Sequence, residues 1–267
     1  MAFDFSFIVP YRKSSADRER NLHIFLKWAA QNFKNAEVII VEMDQTAHFE
    51  KALESGQVRH IFQSDSGVFN RGLARNIGAV NASTDILLFS DSDMILEPEI
   101  ILESVRLCKT QYQAVNPFAA MIDLKEEDIP GLTGREDSIN FSPIYINGKK
   151  RAETDPECYR PDLNFAAGMM LLQTDAYYQI GGWPEDLVGW GGEDDIISNK
   201  ISKLLTNKSF PHSVYHLPHY RSVYDWSDHP EFQNNCEKMN RILRLSDSDL
   251  VLLCSQQKEL LIRKTVE

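Results

Sequence analysis

A chain of 267 residues with 43% hydrophobic content is long enough for one large α/β domain and apolar enough to bury a real core. Its formal net charge of -11 excludes a basic nucleic-acid-binding face and requires any phosphate-bearing ligand to be met by local cations or a bound metal. No apolar run reaches the roughly 18 residues of a membrane span, and the four cysteines show neither metal-type nor dense disulfide spacing.

In chain order, residues 5–9 form a compact apolar run that reads as a buried strand ending at Pro10-Tyr11-Arg12, without the basic leader of a signal peptide. Helical spacing follows over residues 22–28, then a second buried strand over 38–41, a short helix near Phe49 and a third strand over 58–62. Residues 73–80 predict a helix, 86–89 a fourth strand and 100–108 an amphipathic helix. This βαβα order implies an α/β fold with a mainly parallel central sheet flanked by helices, whose ligands gather at the carboxyl ends of the strands. From 123 to 161 no periodicity is sustained, and irregular segments of that length are usually functional. Strand pattern returns at 164–172 and helical pattern at 174–180, and the tail from Glu237 reads as one or two helices. The thiols and the missing span together predict a cytoplasmic protein with no transmembrane segment; docking on a membrane surface stays open.

Four groups of residues carry chemistry. Asp91-Ser92-Asp93 directly follows the fourth strand, where a period of two puts both carboxylates on one side. Such a pair suits a hard divalent ion, Mn²⁺ or Mg²⁺, bridging to a diphosphate; the plain alternative is a solvated acidic turn. Asp247-Ser248-Asp249 follows no apolar strand and reads as a helix start, so context separates the two copies. His216-Leu217-Pro218-His219, near Arg221, offers imidazoles of the kind that join carboxylates around Mn²⁺. Arg12 and Lys13, and the i,i+4 pair Arg71 and Arg75, are candidate cations for a diphosphate, though single arginines are often only solvated.

The fourth group is Gly189-Trp190-Gly191-Gly192-Glu193-Asp194-Asp195. Its glycines permit a tight turn, its indole offers a flat face for a sugar ring, and its carboxylates can accept from hydroxyls or act as a base. The plain alternative is the acidic first turn of a helix, favoured by the helix dipole. No G-x-x-x-x-G-K-[ST] loop and no G-x-G-x-x-G after the first strand occur, which removes the main support for ATPase and dinucleotide readings.

These residues resemble a known family. Ile8 to Arg12, Phe69 to Asn76, Phe89 to Asp93, and the stretches 168–182 and 189–196 are similar to GT-A-fold glycosyltransferases. The second half resembles the catalytic region of β-1,4-galactosyltransferases, bacterial chondroitin-polymerase-type enzymes and polypeptide N-acetylgalactosaminyltransferases. The resemblance covers most of residues 5–222, with a gap across the irregular middle. It implies a GT-A domain over 1–236, split into a nucleotide-sugar half (1–122) and an acceptor half (123–236), with a helical extension over 237–267. It also implies metal-dependent transfer of a hexose or N-acetylhexosamine from a UDP-sugar donor to a carbohydrate acceptor, with inversion, in bacterial polysaccharide or glycan synthesis. On that resemblance Asp194 is the catalytic base, and Trp190, Glu193 and Asp195 hold the acceptor. Pro10, Tyr11, Arg12, Glu42, Phe69, Arg71, Asp91 and Ser92 bind the nucleotide sugar, and Asp93, His216 and His219 bind Mn²⁺ or Mg²⁺. Histidine stands at 216 where the galactosyltransferases carry methionine, which leaves open which imidazole binds and which metal is preferred. Competing readings are a retaining transferase, a sugar-nucleotide pyrophosphorylase and a non-catalytic sugar-nucleotide-binding module. The pyrophosphorylase lacks its Gly-rich loop at Pro10 to Ser15, and a pure binder has no need of both acid groups.

Overall fold

Every residue of the first apolar run is buried in β1 (Phe5–Tyr11), as a central parallel strand covered on both faces requires. The computed structural model describes residues 3–50, 56–133, 139–141, 144–146, 148–161, 165, 168–220 and 226–264. After β1, α1 (Ala16–Asn32) starts at Ser15, whose hydroxyl accepts from the Arg18 amide, so the helix begins before its apolar face does. There follow β2 (Ala36–Asp44), β3 (Val58–Ser64), α2 (Arg71–Val80), β4 (Ile86–Ser90), β5 (Met94–Ile95) and α3 (Pro98–Thr110). The middle holds β6 (Ala114–Asn116), β7 (Ala120–Asp123), α4 (Ile129–Thr133), β8 (Tyr145–Ile146), β9 (Lys149–Lys150), α5 (Arg151–Thr154) and β10 (Tyr159–Pro161). The last part comprises β11 (Met169–Gln173), α6 (Thr174–Gln179), α7 (Glu193–Leu204), β12 (Asn207–Ser209), β13 (Ser213–His216), α8 (Phe232–Leu243) and α9 (Asp247–Lys264).

The main sheet runs β12-β6-β11-β4-β1-β2-β3. Its β4-β1-β2-β3 part is parallel, and β11 alone runs antiparallel to β4 and β6. A second sheet, β10-β7-β13-β5, stands beside it. One face of the main sheet carries an aromatic cluster of Phe5, Phe7, Phe25, Trp28 and Phe33 under α1, and the other packs Ile8, Ile39, Phe89, Tyr177 and Trp183. Burial of this kind, at about 25 cal/mol per Å² of apolar surface, holds the layers together.

Several sequence expectations are modified. Of the short helix expected near Phe49, residues 51–55 lie outside the described residues; over 45–50 no helix forms, and the buried Glu42 carboxylate accepts from the amides of His48 and Phe49 at 2.8 and 3.2 Å. The aperiodic middle holds β7 to β10, strands too short to show a period. Of the predicted 164–172 strand, residues 169–172 lie in β11, and 164, 166 and 167 lie outside the described residues. The tail's first helix starts at Phe232, ahead of Glu237, and α9 begins at Asp247 as the second Asp-Ser-Asp suggested. Among the described residues no helix is long and apolar enough to cross a membrane, and all four cysteines are free.

Helix α2 is seated unusually closely. A Cβ on Gly72 would lie 2.3 Å from the Pro184 carbonyl oxygen, so only glycine lets the helix start meet that segment. Asn70 caps the helix by accepting from Leu73 at 2.9 Å and donates to the Glu185 carbonyl at 2.7 Å. Asn76 donates to the Trp183 carbonyl at 3.0 Å. The start of α2 is therefore pinned to the segment that leads to α7.

Candidate active site

The carboxyl end of β4 turns at Asp91-Ser92-Asp93, with the Asp91 amide donating to the Gly168 carbonyl at 3.1 Å. Pairing of β5 with β13 sets Met94 opposite His216, and the Leu217 amide donates to the Asp93 carbonyl at 2.8 Å. Pairing of β13 with β7 sets His216 opposite Asp123. Sheet register thus gathers residues that stand far apart in the chain, His216 and Asp123 by 93 positions.

Asp93, His216 and His219 each offer one donor atom, all within 4.8 Å of one another. Nε2 of His219 lies 3.4 Å and Nε2 of His216 lies 3.8 Å from Asp93 Oδ2. The Nδ1 atoms are engaged elsewhere, that of His216 with Asp123 Oδ1 at 2.6 Å and that of His219 with the Tyr220 carbonyl at 3.0 Å. This is how proteins aim a ligating imidazole, through a partner on its other nitrogen. Two imidazoles and a carboxylate suit Mn²⁺, so the residues fit the ion that the resemblance implies. Arg18, on α1, also donates to Asp93 Oδ2.

Burial opposes ionisation of Asp93, but the Arg18 charge and the imidazoles outweigh it and hold the carboxyl well below its usual range. Burial likewise opposes protonation of His216, yet its hydrogen bond to Asp123 and the nearby Asp93 carboxylate raise its pKa above the ordinary 6.5. Burial prevails at His219, whose pKa falls.

The second acid group opens α7. Gly192 caps the helix at φ +89°, a left-handed conformation that glycine adopts without strain, and Glu193, Asp194 and Asp195 fill the first turn. The segment is an acidic helix start, as its plain reading has it, and it holds the candidate acids in that first turn. Glu193 accepts from Arg71 Nε at 3.0 Å and from the terminal nitrogen at 2.7 Å. Arg71 also donates to the Gly189 carbonyl at 2.9 Å, and its guanidinium lies 4.8 Å from the Trp190 ring centroid. Burial disfavours the Glu193 carboxylate, but the Arg71 and Arg75 charges overcome this and keep it ionised. Trp190 is 37% exposed and stacks with His229 at 5.6 Å. Asp195 is exposed.

Asp194 differs from its neighbours. One carboxylate oxygen is buried without a hydrogen-bond partner, and burial, then the Glu193 charge, push its pKa up to about 7. Arg75 is fully buried, stacks over Trp183 at 4.3 Å and donates to Asp91 Oδ1 at 2.9 Å, with Nε and its other terminal nitrogen unpartnered. Burial and the Asp93 charge raise the Asp91 pKa against the pull of Arg75, although the Asp91 side chain is still a third exposed. The charges of Asp91, Glu193 and Asp194 all act on Arg71, and those of Asp91 and Arg75 act on Asp194. The two acid groups therefore converge across the arginines at the start of α2.

The remaining sequence candidates take other positions. Arg12 donates to the carbonyls of Met43, Gly67 and Asp65 and lies 5.1 Å from the Phe69 ring centroid, clasping the loop after β3. A cavity of about 400 Å³ beside this clasp is lined by Met43, Ser64, Asp65, Gly67, Asn70 and Leu73. Pro10, Tyr11 and Ser92 are buried, and burial raises the Tyr11 phenol. Glu42 also pairs with His60 at 2.9 Å, so its oxygens serve the loop after β2. Lys13 pairs with Glu19 at 2.6 Å. Arg221 lies outside the described residues.

Arg18 and Asp123 were not foreseen as site residues. Arg18 belongs to the polar run Asp17-Arg18-Glu19-Arg20, which looks like a solvated helix face, and Asp123 sits alone at the edge of the aperiodic middle. A larger cavity of about 620 Å³, lined by Phe5, Ala36 and Lys109 among others, opens at the amino ends of β1 and β2, remote from the acids.

The family described as "Glycosyl transferase family 2" matches residues 6–181, and that described as "N-terminal domain of galactosyltransferase" matches residues 149–225. Validoxylamine A glucosyltransferase of Streptomyces hygroscopicus subsp. jinggangensis (strain 5008) is 28% identical over 153 residues, covering 52% of this chain and 36% of the relative. The protein of the same description from subsp. limoneus is 28% identical and covered over 34% of its length. The chain thus spans about a third of these relatives. Among solved structures, S. aureus TarS 1-349 in complex with UDP-GlcNAc matches with a TM-score of 0.55 at 16% identity, over 97% of this chain and 72% of that one. GalNAc-T7 with UDP, GalNAc and Mn²⁺ matches with a TM-score of 0.57 at 16% identity, over 90% and 48%. Identities this low speak to fold alone, and both folds are GT-A.

Proposed function

The chain belongs to glycosyl transferase family 2, and from that premise we propose that it moves a hexose or N-acetylhexosamine from a UDP-sugar to a carbohydrate hydroxyl, with metal dependence and inversion. One observation supports this reading: Asp91, beside the Asp93–His216–His219 cluster, and the Glu193–Asp194 turn act on the same two arginines, Arg71 and Arg75. The ligands named for TarS and GalNAc-T7 support a UDP-sugar donor and Mn²⁺.

Asp93, His216 and His219 would hold the ion, which, when bound, neutralises charge on the departing diphosphate as a Lewis acid. Asp123 keeps His216 Nε2 turned toward Asp93. Asp194 removes the proton of the attacking hydroxyl. A carboxylate of ordinary pKa ~4 is a weak base, whereas one poised near neutrality takes a proton more effectively while remaining largely ionised at pH above 7. Arg71 holds Glu193 ionised and fixes the Gly189-Trp190 turn, so that the exposed indole presents a surface to the acceptor ring. Asn235 on α8 donates to the Val188 and Trp190 carbonyls at 2.8 and 3.0 Å, which braces the turn that carries the indole.

The test is incubation with a panel of UDP-sugars and oligosaccharide acceptors, with and without Mn²⁺, following UDP release and the anomeric configuration of the product by NMR. UDP release that needs acceptor and is abolished by EDTA supports the reading. No release with any donor overturns it, and a retained anomer overturns inversion together with the base role of Asp194.

A further inference from the structure

Helix α1 is built around the loop that carries both histidines. Asp17 accepts from the Tyr220 amide at 3.0 Å, Arg20 donates to the Pro218 carbonyl at 2.8 Å, and Asn21 donates to the same oxygen at 3.1 Å. Arg20 is itself held by Glu126 at 2.6 Å. Within this framework Arg18 is the residue that reaches the acid. It donates to Asp93 Oδ2, the oxygen that faces His219 Nε2 and His216 Nε2.

Asp93 is 3% exposed at its side chain and Arg18 is 28% exposed. A buried carboxylate needs a counter-charge, because an unpaired ion in the interior costs several kcal/mol. Arg18 supplies it at Oδ2, the same oxygen that both imidazoles face. A guanidinium and a divalent ion drawn to the same carboxylate oxygen repel one another, so each weakens the other's hold on it. Arg18 sits on a long side chain with a route to solvent, and its planar fork matches a phosphate when it leaves a carboxylate.

Resting on the metal reading above, we infer that Arg18 is a displaceable counter-ion. It neutralises Asp93 before the metal binds, yields that oxygen to the ion, and swings to the donor's diphosphate. Metal and donor binding are thereby coupled: the metal alone must displace Arg18, and the nucleotide gives the displaced guanidinium a partner. Arg18 is a positioning residue for the empty site and a donor-binding residue in the loaded one.

The coupling makes opposite demands on one substitution. Arg18→Gln should bind Mn²⁺ alone at least tenfold more tightly than the unmodified protein, measured by titration calorimetry or by the EPR signal of free Mn²⁺. The same variant should bind UDP at least tenfold more weakly in saturating Mn²⁺. Arg106→Gln, on an exposed i,i+3 pair with Glu103, makes the same change in net charge and should leave both affinities as they were. A merely structural role for Arg18 would weaken metal binding, not strengthen it, and thermal melts of Arg18→Gln identify that case. Equal or weaker Mn²⁺ affinity in Arg18→Gln overturns the inference while leaving the metal site standing. Mn²⁺ binding that survives Asp93→Asn unchanged, or is absent from the unmodified protein, overturns the metal reading and this inference with it.

Discussion

Replacing Asp194 by Asn tests the chemistry and its energetic cost in one variant. The native carboxyl ionises near pH 7, displaced from 3.8 by burial and by the Glu193 charge. At 1.36 kcal/mol per tenfold change, that displacement corresponds to about 4 kcal/mol favouring the neutral acid, and solvent reaching the half-buried side chain reduces it to about 2 kcal/mol. The sign follows from linkage. Between pH 4 and 7 the folded protein holds a proton that the unfolded chain releases, so this group's contribution to stability falls as pH rises. Asn never ionises. Asp194→Asn should therefore match the unmodified protein in stability near pH 4 and exceed it by about 2 kcal/mol above pH 7, read by urea denaturation across that range. Activity should move the other way, with kcat reduced about 10²–10⁴-fold, the usual contribution of a general base, while UDP affinity in Mn²⁺ is unchanged. The native pH–rate profile should rise with an apparent pKa near 7. Near-normal transfer by the variant, or a stability difference independent of pH, would refute the argument.

Further outcomes follow from the surrounding contacts. Arg71→Ala leaves Glu193 buried and unpaired and should cost about 3 kcal/mol in denaturant unfolding, with most of the loss restored in Arg71→Ala/Glu193→Gln, as a double-mutant cycle would reveal. Asp123→Asn should weaken Mn²⁺ binding about 10–100-fold by calorimetry without abolishing it, because His216 loses the partner of its Nδ1 but keeps its Nε2. Gly72→Ala places a methyl group against the Pro184 carbonyl and should displace the start of α2, lowering kcat/KM together with the melting temperature. EDTA treatment should stop transfer, and Mn²⁺ should restore it at lower concentration than Mg²⁺, since imidazoles favour the softer ion.

Much of the architecture is legible from local pattern. The apolar runs of β1, β2 and β4 are buried on both faces, and such strands announce themselves by composition alone. Asp91-Ser92-Asp93 could be placed at a strand end, and Glu193-Asp194-Asp195 at a helix start, because each sits at a change of period. The short strands β5, β7, β10 and β13 were not legible, since two to four residues are too few to express an alternation. Of these, β5, β7 and β13 are nevertheless what bring Asp93, Asp123 and His216 together.

The sequence by itself therefore determined which chemical groups the site has available: two sets of acids, a histidine pair, and arginines at the start of a helix. Tertiary structure alone decided their employment. Arg12 clasps a loop, Glu42 pins another, Arg71 joins Glu193 to the Trp190 turn, and Arg18 reaches Asp93 from a helix face that looks merely solvated. The physical reason is that ionisation and pairing depend on distance through space and on access to water, and neither is a function of separation along the chain.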